Sequence, residues 1–165
     1  MGTCSYTWKE RNKKGGTKKR CLEEIWEGSD EFCIFHDPSP EKDLQLFKEG
    51  VEVQMRSETK KHNFIGYCFP AKWDFFEGKE FKIDADFREA TFQDANFFGA
   101  TFQCVADFRG ATFQNANFRG ATFEDLNFGG AIFRKHADFR GATFEASFSE
   151  EIRKLNIMLF SRPWG

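Results

Sequence analysis

Ala85-Asp86-Phe87-Arg88-Glu89-Ala90-Thr91-Phe92-Gln93-Asp94-Ala95-Asn96-Phe97-Phe98-Gly99-Ala100-Thr101-Phe102 is one phrase said four times: alanine, a small polar residue, phenylalanine, two spacers. The beat resumes at Ala106-Asp107-Phe108 and runs through Phe113, Phe118, Phe123, Phe128 and Phe133. After a second one-residue slip it passes Phe139 and Phe144 and ends near Phe148. Five residues is neither the period of a helix nor that of a plain alternating strand. A fixed repeat of this kind belongs to a solenoid, in which each unit buries its apolar face only against its neighbours. Alanine and phenylalanine stand two apart, so in an extended segment both point inward while the polar residue between them points to solvent. Arg109-Gly110, Arg119-Gly120 and Arg140-Gly141 then read as corners, because glycine tolerates the dihedrals of a tight bend.

The A-[DN]-F-x-G and A-T-F-x-x units over residues 71–148 resemble the Phe-centred branch of the pentapeptide-repeat family. The resemblance implies an all-β solenoid: a right-handed, four-sided β-helix with one unit per face and four units per coil. Some thirteen units then make about three coils, a tower on the order of 15 Å tall at the usual strand spacing. The slips place extra residues near Val105 and His136, at opposite corners, where a bulge is expected. Stacking every four units predicts ladders of Asp86, Asp107 and Asn127, of Asn96, Asn117 and Asp138, and of Thr101, Thr122 and Thr143. Arg88 and Arg109 should flank the first and Arg119 and Arg140 the second, in exposed Asp–Arg pairs of little energetic weight.

Ahead of the repeats stand Cys4, Cys21, Cys33 and His36. Cys33-Ile34-Phe35-His36 offers two ligands from one turn, and three thiolates with an imidazole suit a tetrahedral structural Zn²⁺ site. The series Gly16, Cys21, Gly28-Ser29, Cys33, His36 looks like a short zinc-binding motif found before repeat and nucleic-acid-associated modules, and like the head of some Phe-rich pentapeptide-repeat proteins. Cys4 fits that spacing least well. Inert buried thiols and redox chemistry are the other readings of the cluster; five cysteines is an odd number and cytosolic disulfides are rare, so a disulfide framework is not expected. A head of this size lacks the core to hold itself together, so metal binding would supply folding energy. Cys68 and Cys104 read as small apolar fillers, and His62 and His136 as solvated.

The chain has 165 residues and a net charge of −2. That length divides into a zinc-type head (1–38), a linker helix and connection (39–70), the solenoid (71–148) and a C-terminal cap (149–165). The linker helix is expected over about 40–58, capped by Ser39 with Pro40 in its first turn and Leu44, Phe47, Val51 and Met55 on its apolar face. Ile152, Leu155, Met158 and Leu159 suit a helix that closes the far end or forms a homodimer contact; otherwise the chain is a monomer. No stretch is long and apolar enough to span a membrane, so the expected location is cytoplasmic.

No P-loop, nucleophile elbow, nucleotide fingerprint or zinc-protease motif is present, and a non-enzymatic role is expected. The leading expectation is a rigid scaffold for an unidentified protein partner. Phe98 is its candidate anchor, at an outward position where the same column carries Arg119 and Arg140; cover by the head is the other use of that ring. The alternative is nucleic-acid binding through residues 9–20, where Lys13, Lys14, Lys18 and Lys19 concentrate positive charge. The resemblance also raises DNA mimicry toward topoisomerases, but residues 85–148 carry eight acids and six bases, a nearly neutral field.

Overall fold

The computed structural model describes residues 2–10, 17–59 and 61–145. The expected C-terminal cap, Lys13 and Lys14 lie outside the described residues. The head holds an antiparallel hairpin of β1 (Thr7–Glu10) and β2 (Thr17–Arg20), with Thr7 opposite Arg20. Helix α1 (Leu44–Met55) follows. The tower begins with the short strands β3 (His62–Asn63), β4 (Cys68–Phe69), β5 (Glu80–Phe81) and β6 (Ala85–Asp86). It continues through the longer β7 (Thr91–Asn96), β8 (Thr101–Asp107), β9 (Thr112–Asn117), β10 (Thr122–Asn127) and β11 (Ile132–Asp138) to β12 (Thr143–Phe144).

Two parallel sheets wrap the tower. One runs β3-β6-β8-β10-β12, with β5 also paired to β8; the other runs β4-β7-β9-β11. Between them the phenylalanines form four columns of four rings: Phe64, Phe87, Phe108, Phe128; Phe69, Phe92, Phe113, Phe133; Phe76, Phe97, Phe118, Phe139; and Phe81, Phe102, Phe123, Phe144. Rings one coil apart stack nearly parallel, from 4.3 Å between centroids at Phe81–Phe102 to 5.6 Å at Phe123–Phe144. The first and third columns meet edge to face across the axis, as at Phe97–Phe108, 5.6 Å and 84°. Each contact is of a favoured aromatic geometry, worth about 0.5–1.5 kcal/mol beyond its buried area.

The expected ladders are present. Asp86, Asp107 and Asn127 align coil on coil, as do Asn96, Asn117 and Asp138, and Thr101, Thr122 and Thr143. Both slips are register shifts, one beside Val105 and one beside His136, in different sheets.

Several expectations are corrected. The tower has about four coils, and its ladder starts at His62 instead of residue 71. The first coil escapes the five-residue pattern because its phenylalanines are unevenly spaced and its inward partners are not alanine: Trp73 pairs with Ala95. Corners do not all bend alike. After the first and third columns the chain turns through a left-handed residue: Gly99, Gly110, Gly120, Gly130 and Gly141 have φ between 62° and 71°. After the second and fourth columns one strand runs straight through the corner, as β9 does from Thr112 to Asn117. Glycine follows only every second phenylalanine in the sequence, and this alternation is why.

Helix α1 starts later than expected. Asp43, not Ser39, is its N-cap, accepting from the backbone N–H groups of Gln45 and Leu46 at 2.9 Å. Ser39 instead caps the preceding turn, its hydroxyl accepting from Glu41 N–H. Phe47 and Val51 are buried, Met55 is half-buried and Leu44 is exposed. Phe47 packs on Tyr67, Phe69 and Trp73, so the helix closes the N-terminal end of the tower, which would otherwise expose its core. Gly50, a poor helix former, is there because any Cβ would overlap the Phe35 ring. His62 is buried, not solvated; its Nδ1–H donates to Gln54 O at 2.9 Å, tying helix to tower.

Candidate metal centre

Cys4 and Cys21 lie sixteen residues of intervening chain apart, and the β1–β2 hairpin closes that gap. Cys21 N–H donates to Tyr6 O and Cys4 N–H to Glu23 O, which brings both thiols to the hairpin base. The second pair comes from the turn at Ile34–His36, where His36 N–H and Asp37 N–H both reach back to Cys33 O. All four side chains are buried, and their ligand atoms lie within 4.8 Å of one another. Cys21 Sγ is 3.8 Å from Cys33 Sγ, and Cys4 Sγ is 3.7 Å from His36 Nδ1. A tetrahedral zinc with Zn–S bonds of about 2.3 Å separates its sulfurs by about 3.8 Å. Cys33 Sγ to His36 Nδ1, at 3.1 Å, is the tightest pair.

The imidazole is set for ligation. His36 Nε2 is 3.0 Å from the Ile65 carbonyl, which can only accept, so the proton sits on Nε2 and Nδ1 faces the sulfurs with its lone pair. Tyr6 stacks on the same ring at 4.1 Å and 10°. As bare thiols the three cysteines are poorly placed. The hydrogen bond with Cys21 and burial push the Cys33 thiol up to about 12, burial raises Cys4, and the same Cys33 contact lowers Cys21. A bound cation would remove that conflict by taking three thiolates as ligands. Four buried protein donors would complete a tetrahedral set around a metal and leave no open position for a substrate, the arrangement of a structural centre.

The site continues into the tower. Ile65, which orients His36, belongs to the first coil, and Cys68 N–H donates to Phe35 O at 2.8 Å. Tyr6 crosses the same seam to donate its hydroxyl to Glu89 at 3.0 Å, lying against Gly66, where any Cβ would meet the Tyr6 ring. Lys42, 4% exposed, donates to the carbonyls of Ile34 and Cys68. Asp37 is buried beneath Trp26, whose indole N–H donates to it at 2.7 Å; despite burial, bonds from Ser39 N–H and Trp26 hold its carboxyl low. Sequence reasoning passed over Tyr6, Asp37, Lys42 and Ile65. Only the aromatic rings of Tyr6 and Trp26 beside the ligands gave any signal.

Cys68 lies half-buried at the seam, as expected, and Cys104 half-buried at its corner, its thiol near Lys82 O. The interaction candidates sit far apart in kind. Lys18 and Lys19 are exposed on β2 with Arg20. Arg119 and Arg140 are exposed at successive corners, and Phe98, 42% exposed, stands in their column one coil earlier. Among the described residues no helix is long and apolar enough to cross a membrane.

Comparison with known proteins places the tower. Two family models, both described as pentapeptide repeats, match: one in its nine-copy form over residues 97–143, one in its eight-copy form over residues 83–103. No curated protein and no solved structure matches the chain. Between residues 83 and 143, then, the chain is built of pentapeptide repeats, stacked as a four-sided β-solenoid behind a head whose Cys3His cluster could hold a metal ion.

Proposed function

We propose that this chain is a non-enzymatic scaffold that docks a protein on the rigid faces of its tower, with a structural Zn²⁺ in the head that seals the tower's first coil. The observation that carries this reading is the register: coil on coil, side chains repeat in columns fixed by stacked rings and parallel ladders. Such a surface loses little conformational freedom when it binds. The corner column of Phe98, Arg119 and Arg140 is the partner-facing ridge, an aromatic anchor with two guanidinium groups, the pair of residue types enriched at hot spots. Zinc is favoured over other ions by three soft thiolates and an imidazole in a closed tetrahedral set. The reading fits a cytoplasmic location, where such thiols stay reduced.

Two measurements test it. Elemental analysis of protein purified without chelator should give about one zinc per chain, the count of one Cys3His centre. Substantially less, with the fold unaffected by chelator, removes the zinc. Affinity capture with the intact chain should recover a protein whose retention is lost in the Phe98→Ala/Arg140→Glu double variant. A partner retained equally by both removes the ridge.

Exposed Lys18, Lys19 and Arg20 on one strand favour a second reading, nucleic-acid binding through the head. Micromolar binding to duplex DNA or single-stranded RNA that weakens steeply with salt, and is lost when Lys13, Lys14, Lys18 and Lys19 become Gln, would transfer the function there. DNA mimicry finds less support: Asp86, Asp107 and Asp138 are each bonded by an arginine two residues on, so the ladders do not present a phosphate-like row.

A further inference from the structure

The outer side of the β4-β7-β9-β11 sheet is not flat. The Trp73–Ala95 pairing sets Lys72 level with Asp94 and Asp74 level with Asn96, and the register of β7, β9 and β11 continues both rows. One row climbs Lys72, Asp94, Asn115, His136; the other climbs Asp74, Asn96, Asn117, Asp138. They stand two residues apart, roughly 6–7 Å. Together they floor a groove of about 740 Å³ that Phe98 and Arg119 wall on one side.

Three features set this face apart from a merely solvated one. Both irregularities of its sheet fall at the groove's ends. At one end the stretch from Phe69 to Phe76 is longer than a repeat and holds Lys72 at φ 55°, a conformation rare for a non-glycine residue. At the other, the register shift lies beside His136. Bulges re-aim side chains, and strained backbone gathers at functional sites. Next, Phe98 is exposed at 42% where the coils above carry arginine. Finally, the floor offers side chains rather than backbone, since β7, β9 and β11 spend their main-chain groups on each other. A peptide strand has nothing there to pair with.

The chemistry of the floor narrows the ligand. Asp74, Asp94 and Asp138 oppose Lys72 and Arg119, so the field suits neither a polyphosphate nor a polycation. The amides are held in place: Asn115 donates to Asp94 at 2.7 Å and Asn117 to Asn96 at 3.0 Å. Each keeps a second N–H and spare acceptor capacity. A ligand that fits is neutral, dense in hydroxyls that donate and accept, and carries an apolar ring face for Phe98. We propose that this groove binds a neutral oligosaccharide along the tower axis, one pyranose face on Phe98 and the sugar hydroxyls on the asparagine rows.

This goes beyond the protein-docking reading, and the two fail separately. Phe98 serves both, but Asn115 lies only in the groove and Arg140 only on the ridge. The test is titration of the intact, zinc-loaded, isotope-labelled chain with cellohexaose, maltohexaose and N-acetylchitohexaose, followed by NMR and calorimetry. At least one should shift the side-chain amides of Asn115 and Asn117 and bind saturably. Phe98→Ala should then weaken binding about tenfold or more, Phe98→Trp should restore it, and Asn115→Ala should weaken it while Arg140→Ala does not. Unchanged thermal melting of these variants separates lost contact from lost fold. Absence of shifts with all three at millimolar concentration overturns the proposal, as does binding indifferent to Phe98→Ala.

Discussion

In the tower, Phe108 has Phe87 stacked on one face at 4.7 Å and Phe128 on the other at 5.2 Å, with Phe97 and Phe118 edge-on from the side. In the head nothing repeats. Its small core is Cys4, Cys21 and Cys33, with Tyr6, Phe32 and Phe35 packed around them. A lost ring in the tower is surrounded by copies of the same contact, whereas a lost ligand in the head leaves three donors with no common partner. Solenoid energetics are close to a sum over neighbours, and metal-held folds are close to all-or-none. With a metal in the Cys3His cluster, one chain would join both kinds across the seam of Ile65, Gly66 and Cys68.

The largest effect should come from the metal. Structural zinc contributes about 10–16 kcal/mol in small zinc-held peptides. Chelation, or Cys33→Ser, should therefore unfold the described head residues, 2–10 and 17–37, outright. Hydrogen exchange should show head amides losing protection, the coil at 62–69 weakening next because His36 no longer braces Ile65, and residues 83–143 holding. Head amides still protected after the metal is removed would show that hairpin and aromatic packing suffice alone, erasing the contrast.

Next in size is a ring from the middle of the tower. Phe108→Ala removes a fully buried side chain from between two stacked neighbours and should cost about 3–5 kcal/mol in urea unfolding. Phe144, only half-buried and stacked on Phe123 at 5.6 Å, should cost clearly less as Ala because less of its ring leaves water on folding. Equal costs would mean that the coils do not add independently.

The same contrast governs what could be read in advance. The repeat announces itself because every coil faces the same environment, so Ala106, Ala116 and Ala121 answer one demand, a small residue beside a stacked ring. The ladders and both slips follow from counting. The first coil was illegible because it faces a helix and a head rather than another coil; Trp73 and Tyr67 there fill a cap, and their spacing obeys no period. Four ligand positions were legible as chemistry, but the hairpin that unites Cys4 with Cys21 was not, since Thr7–Glu10 and Thr17–Arg20 lack an apolar alternation. His62 looked solvated after two lysines, and only tertiary contact with Gln54 and Phe81 buries it.

The seam itself allows a sharper test. Glu89 occupies a corner where the equivalent positions of later coils, Gly110 and Gly130, are glycine, and it holds φ at 60°. Left-handed backbone costs a residue with a Cβ about 1–2 kcal/mol. Its compensation is the hydrogen bond from Tyr6, worth about 0.5–1.5 kcal/mol. Glu89→Gly should thus be close to neutral in the natural chain and stabilising by about 1 kcal/mol when Tyr6 is already Phe, by strain relief alone. A double-mutant cycle reads this directly. Glycine stabilising equally in both backgrounds would show that the Tyr6 bond contributes nothing across the seam.

The smallest expected effect concerns two carboxylates from different ladders, one near each end of the tower. Asp86 is buried, contrary to the exposed pair expected from sequence: Arg88 grips both its oxygens at 2.7 Å and Lys61 adds a bond at 2.6 Å. Burial alone would raise its pKa, but these cations outweigh it and hold the carboxyl below the ordinary range. A carboxyl depressed in the folded state stabilises above its unfolded value of about 3.9, and that contribution is lost as pH falls through the folded value. Asp86→Asn keeps the shape, since Asn127 stands in the same column, and should cost about 1 kcal/mol near neutrality. The gap between the two proteins should then close as the pH drops below about 4. Acid also protonates metal ligands, but it does so in both proteins, so their difference isolates Asp86. Asp138, whose carboxyl is likewise held low by Arg140 but with that guanidinium 72% exposed and screened by water, should show a smaller gap as Asn. A pH-independent gap at Asp86 would mean that packing, not charge, is what the buried pair supplies at the seam end of the tower.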